Sequence, residues 1–153
     1  RVWLAGQSRR SARGAVVIDG SNVMYWWGGT PLITPVQDVV RTLKDLGFKT
    51  GVVFDANAGH LLTNAYKDDA ALAAMLKLPV DQVMVVPSGS PADPFILTAA
   101  REMGAVVVSN DRYRDWADEF PEVLRRGHLI KGGYRQQELW FDFATLSDEQ
   151  SAA

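Results

Sequence analysis

Four aspartates of this chain stand where a carboxylate is hard to explain as ordinary surface charge. Asp19 closes the apolar run Val16-Val17-Ile18. Asp111 follows Val106-Val107-Val108-Ser109-Asn110, and Asp115 comes shortly after it. Asp93 sits just before Pro94 and an apolar stretch of helical pattern. A lone buried carboxylate is costly, so an acid at the end of a buried strand needs a partner. Acids gathered without matching bases suit a hard divalent cation, which takes oxygen ligands. Such an ion activates water and offsets charge on a phosphoryl group. The chemistry expected here is metal-assisted hydrolysis of a phosphodiester.

Each residue also has a plainer reading. Asp19 can cap the turn that Gly20 and Ser21 allow, and Asn22 can stabilise that turn or face the pocket. Asp93 before Pro94 is an N-cap pattern. Asp111 is another candidate cap, and on a helix Asp115 would share its face. Asp115 can instead pair with Arg112 or Arg114. Asp55, after Val52-Val53-Phe54, is expected on the same edge as an auxiliary, structural acid. The pattern rather than any single member points to a site.

Other chemistries lack support. There is no phosphate-cradling Gly-x-x-x-x-Gly-Lys-Ser/Thr and no Gly-x-Gly-x-x-Gly. Asp19-Gly20-Ser21 is not an aspartyl-phosphatase Asp-x-Asp, and Ser88-Gly89-Ser90 reads as loop. The chain has no cysteine, which removes thiolate zinc sites and a cysteine nucleophile. Its two histidines, His60 and His128, lie apart, against a metal-free two-histidine ribonuclease. Tyr25, Trp26 and Trp27 can stack bases or pack under a loop, and packing is the expectation.

Elements must bring those acids together. Ala15–Asp19, Val52–Phe54, Val83–Val86 and Val106–Val108 read as strands. Between them, Val36, Val39, Val40, Leu43 and Leu46 recur at helical spacing before Gly47. Asp69–Leu78 and Phe95–Met103 are also helical, with a short helix over Arg112–Ala117 and a turn over Pro121–Arg125. Leu139-Trp140-Phe141 reads as a late strand after a Gly132-Gly133 turn. Alternating strands and helices predict an α/β fold, a mostly parallel sheet covered on both faces. Its acids then lie beyond the carboxyl ends of the strands, where such sheets bind ligands.

With 153 residues, 47% apolar and 22% charged, the chain is one ordinary globular domain with room for a core. The expected division is an arm over 1–14, a domain over 15–146 and a tail over 147–153. No apolar run is long enough to span a membrane. The net charge is −2, from 16 Lys and Arg against 18 Asp and Glu, unlike a simple nucleic-acid coat protein. The balance is uneven: Arg125, Arg126, His128, Lys131 and Arg135 form a stretch without acids. An acidic pocket with a basic rim is what a metal nuclease needs.

The segments Val-Val-Ile-Asp-Gly-Ser-Asn, Asp93-Pro94-Phe95-Ile96 and Val-Ser-Asn-Asp-x-Tyr-Arg-Asp resemble the NYN domains of the PIN-like nuclease superfamily, in its Regnase-type branch. The resemblance runs from about Ala15 to about Trp140. It implies a PIN-like three-layer α/β/α sandwich and a magnesium-dependent endoribonuclease, with Mn²⁺ as substitute. It places metal ligands on Asp19, Asp93 and Asp111, with Asn22 and Asp115 completing the catalytic set. It also implies 5′-phosphate and 3′-hydroxyl products. One departure is Ala92, where the family often has a second aspartate. No zinc finger accompanies the domain in this chain.

The expected substrate is single-stranded or looped RNA, held by Arg112, Arg114, Arg125, Arg126, Lys131 and Arg135, with Ser21 and Asn110 at the pocket. The expected setting is the cytoplasm, without membrane contact, and a homodimer is allowed. An inactive PIN-like module that binds RNA or protein is the alternative. A small-molecule phosphohydrolase is a third reading.

Overall fold

The computed structural model describes residues 14–143. The expected arm, apart from Gly14, and the expected tail lie outside the described residues. Five strands form one wholly parallel sheet: β1 (Ala15–Asp19), β2 (Lys49–Phe54), β3 (Val83–Val85), β4 (Val106–Val108) and β5 (Leu129–Ile130). Their order is β3-β2-β1-β4-β5. The central strands are almost entirely buried, as expected for parallel strands covered on both faces. The chain builds outward from β1 on one side, then crosses to the other. The reversal leaves a crevice between β1 and β4 at their carboxyl ends, where open α/β sheets take their ligands.

Period-two alternation divides the core. Val16 and Ile18 face one layer with Val52, Phe54 and Val108. It contains the single turn α1 (Gly20–Val23) and α2 (Ile33–Asp45), whose Val36, Val39, Val40 and Leu43 form one buried stripe. After the short α3 (Ala58–Thr63), α4 (Asp69–Leu76) buries Leu72, Ala73 and Leu76 in the same layer. Val17, Val53 and Val107 face the other layer, with α5 (Asp93–Met103) and two 3-10 turns, Arg114–Trp116 and Pro121–Leu124. Arg101 on α5 clamps Glu122 through two bonds of 2.7 and 2.8 Å. The three-layer α/β/α sandwich is therefore as expected. Among the described residues no helix is long and apolar enough to cross a membrane.

The C-terminal part departs from the sequence reading. Gly132 and Gly133 are not a turn. They begin β6 (Gly132–Arg135), which pairs antiparallel with β7 (Glu138–Phe141). The turn is Gln136-Gln137, both at positive φ, 51° and 67°. Positive φ at both loop residues matches the strand twist of a two-residue hairpin. Gly132 is needed for closeness: a Cβ there would lie 2.6 Å from the Trp26 ring and 2.7 Å from the Trp140 carbonyl. The expected helix over 112–117 is also absent. Tyr113 takes φ 52°, which breaks helical continuation before the 3-10 turn.

Candidate active site

Asp19 lies at the floor of the crevice, 6% exposed. Its Oδ1 accepts from the Asn22 backbone N–H at 3.1 Å, capping α1. Its Oδ2 accepts from Ser109 Oγ at 3.0 Å and from Tyr113 Oη at 2.6 Å. Burial pushes the carboxyl up to about 6, against these three hydrogen bonds and with a further upward push from Asp93. Gly20 follows because nothing larger fits: a Cβ would stand 2.5 Å from the Phe54 ring. Ser21 uses its oxygen within the fold, accepting from Asp55 N–H at 2.9 Å and tying the end of β2 to α1.

Asn22 joins the site to its surroundings. Its Oδ1 accepts from Trp26 Nε1 at 2.8 Å and from Asn110 N–H at 3.0 Å. With the oxygen doubly engaged, the amide –NH₂ is what Asn22 offers a ligand, a donor suited to phosphate or water. Asn110 is occupied differently from expectation. Both ends of its amide bind Gly132, donating at 2.9 Å and accepting at 3.0 Å, so it clasps the hairpin to β4.

The remaining acids ring the mouth. Asp93 opens α5 but does not cap it; Ala92 holds the cap position. Asp93 Oδ2 accepts from Trp116 Nε1 at 3.1 Å. Partial burial raises its carboxyl, and Asp111, Asp55 and Asp115 push it further. Asp111 binds its own loop, Oδ1 accepting from Tyr113 N–H at 2.7 Å. Asp111 and Asp115 are exposed and stand on either side of the Tyr113 reversal, not one helical turn apart. Asp19, Asp93, Asp111 and Asp115 are thus on one edge with Asp55. Among the described residues none of the five is in an ion pair.

This donor set suits a hard cation by charge and by oxygen chemistry. Among the described residues no three acids converge into a ready-made cage. The fit is to an ion held by few direct carboxylates and completed by water, as Mg²⁺ prefers.

The basic residues separate into two groups. Arg112 and Arg114 follow Asp111, and Lys131 follows β5, so all three flank the acidic edge. Arg135 lies along the hairpin, its guanidinium 4.4 Å over the Trp140 ring. Arg125 and Arg126 precede β5. In a parallel sheet that puts them toward the amino edge, away from the carboxylates. Nearness in sequence to Lys131 suggested otherwise, but a whole strand intervenes.

Ser109, Tyr113 and Trp116 hold the acids and were not assigned such roles from sequence. Tyr113 is 2% exposed, although charged residues surround it in the chain. That contrast is the signal that could have found it. A cavity of about 500 Å³ lies elsewhere, along the flank of α5 between Val53, Met84, Phe95 and Met103. None of the residues lining that cavity is one of the site's aspartates.

A family model described as the Zc3h12a-like ribonuclease NYN domain matches residues 12–140. The chain belongs to that family. The NYN domain also resembles two structures of the nuclear protein-only RNase P 2 of Arabidopsis thaliana. One has a TM-score of 0.62 at 15% identity, covering 82% of this chain and 29% of that one. The other has a TM-score of 0.57 at 17% identity, covering 83% and 29%. These likenesses are of fold, and this NYN domain spans less than a third of those chains. No curated protein matches the sequence significantly. The family is described as one of ribonucleases, and the PIN-like fold expected from sequence is that of this chain.

Proposed function

We propose that this NYN domain is a divalent-metal-dependent endoribonuclease acting on single-stranded or looped RNA. The observation that carries the reading is the gathering of Asp19, Asp93, Asp111 and Asp115 at one sheet edge without ion-pair partners among the described residues. Asp19, Asp93 and Asp111 would hold the ion, partly through water. When bound, Mg²⁺ or Mn²⁺ supplies an acidified water and offsets charge developing on phosphorus.

The protein's own residues do the rest. Tyr113 and Ser109 orient Asp19, so that it meets its ligand already aimed. Asn22 presents amide hydrogens to a phosphate oxygen or a water. Asp115 accepts from water at the mouth. Arg112, Arg114, Lys131 and Arg135 hold the flanking phosphates. Cytoplasmic action and a homodimer remain parts of this proposal.

A non-cleaving RNA-binding module is the second reading, favoured by the absence of a tight acid cage among the described residues. Cleavage of a labelled single-stranded RNA with Mg²⁺, Mn²⁺ or EDTA, beside Asp19→Asn, decides between them. Metal-dependent cleavage lost in the variant is expected. Folded protein that cuts with neither metal would sink the nuclease reading.

A further inference from the structure

Trp26 and Trp27 are neighbours with opposite fates. Trp26 faces inward, bonded to Asn22, edge-on to Phe141 at 6.3 Å, and filling the space that a side chain on Gly132 would need. Trp27 faces out, 49% exposed. Its ring meets Tyr134 of β6 at 4.7 Å between centroids and 73° between planes. Tyr134 is anchored, its hydroxyl donating to Asp38 Oδ2 at 2.7 Å. Asp38 is held in turn by Arg41 at 2.9 Å. An edge-to-face pair engages one ring face and leaves the others open.

Residues close to the pair in sequence reach the loops of the acidic edge. Trp26 binds Asn22 on one side, and Gly132, close to Tyr134 in β6, is clasped by Asn110 on the other. Two separate chain segments, each tied to the acidic edge through a residue close to the pair, therefore converge to present aromatic surface. Arg135 adds a cation on the opposite face of the hairpin.

We propose that Trp27 and Tyr134 form a stacking platform for one base of single-stranded RNA, flanking the phosphodiester presented to the carboxylate edge. The inference rests on the nuclease reading for its substrate. Stacking of this kind accepts any base, because each has a π face. It disfavours duplex, whose bases are already stacked. The anchored Tyr134 keeps Trp27 from turning freely, so little order has to be gained on binding.

The test is binding of a short single-stranded RNA to the whole chain in EDTA, where no metal-dependent turnover occurs. The intact oligonucleotide is compared with a series carrying one abasic site at successive positions. The wild type should lose about tenfold in affinity at one or two positions. Trp27→Ala should lose a similar factor on intact RNA and become insensitive at those positions. Trp27→Phe should keep most of both. Unchanged affinity in Trp27→Ala overturns the platform. So does an equal loss on intact and abasic RNA, or the lack of any sensitive position in the wild type. Metal-dependent cleavage is scored separately. A Trp27-dependent abasic footprint without cleavage would overturn the nuclease reading and support the platform; cleavage without that footprint would overturn the platform alone.

Discussion

Tyr113 Oη donates a 2.6 Å hydrogen bond to Asp19 Oδ2, across 94 positions of sequence. It couples the end of β1 to the loop after β4 and sets the direction of the carboxylate at the centre of the site. Tyr113→Phe keeps the ring in its buried place and removes the hydroxyl that makes that bond. We expect the fold to be kept at a cost of about 1–3 kcal/mol at neutral pH, and cleavage reduced by about 10- to 100-fold, as for other residues that orient a metal ligand. Because the bond favours the carboxylate, its loss should also move the acid limb of the pH–rate profile upward. Wild-type rates at all pH values would remove Tyr113 from the mechanism.

Asp19 is held in a fold that disfavours its charge. Its carboxyl is raised from 3.8 to about 6 by burial. The proton is thus bound more tightly in the folded chain. Stability from that preference is complete below about pH 4 and lost as pH rises through 6. Asp19→Asn should therefore abolish cleavage yet raise the stability of metal-free protein at pH 7.5, by at most on the order of 2–3 kcal/mol. No such gain is expected at pH 4. Thermal melts in EDTA at both pH values check it; equal effects at the two would contradict the assignment.

Ala92 is 5% exposed and packed among Val17, Val86 and Ile96. Restoring an aspartate there is not a repair of the site but the burial of a charge in an apolar layer. Ala92→Asp should cost about 2 kcal/mol or more. It should give no faster cleavage. A more active, equally stable variant would show that position 92 faces the metal.

Gly20 admits no side chain, because the Phe54 ring lies 2.5 Å from the place of its Cβ and is fully buried. Gly20→Ala should destabilise by about 1–3 kcal/mol through overpacking and reduce activity with it, since Asp19 is the adjacent residue. Gly20→Ala with Phe54→Leu should recover part of the stability. Denaturant melts of the three proteins measure this.

Lys131 flanks the acidic edge, whereas Arg125 and Arg126 lie on the far side of β5. Lys131→Ala should lower the salt dependence of RNA affinity by about one unit of log–log slope. The double change of Arg125 and Arg126 to Ala should leave that slope unchanged. Titrations across a salt series separate the cases, and the reverse pattern would relocate the RNA path.

The three central features were legible locally: β1 and β4 are apolar runs followed by the acids Asp19 and Asp111, and Asp93 stands with Pro94 at the head of the apolar helical stretch of α5. Alternation of strand and helix was enough to imply the sheet and its active edge. What escaped the sequence reading is either short or long-range. β5 has two residues, and α3 carries no strong periodicity. The spacing of Asp111 and Asp115 suggests a helix because nothing local reveals that Tyr113 reverses the backbone. Tyr113 turns inward for Asp19, a partner far away in sequence. Arg125 and Arg126 were grouped with Lys131 because a charge run does not show the strand that divides it.

β1 precedes the other strands of its sheet in sequence, yet the hydroxyls that aim its terminal carboxylate come from Ser109 and Tyr113, 90 and 94 positions later. A growing chain carries the Asp19 carboxylate well before these two hydroxyls exist to aim it, so the site takes its final form only once β1 and the loop after β4 have folded together.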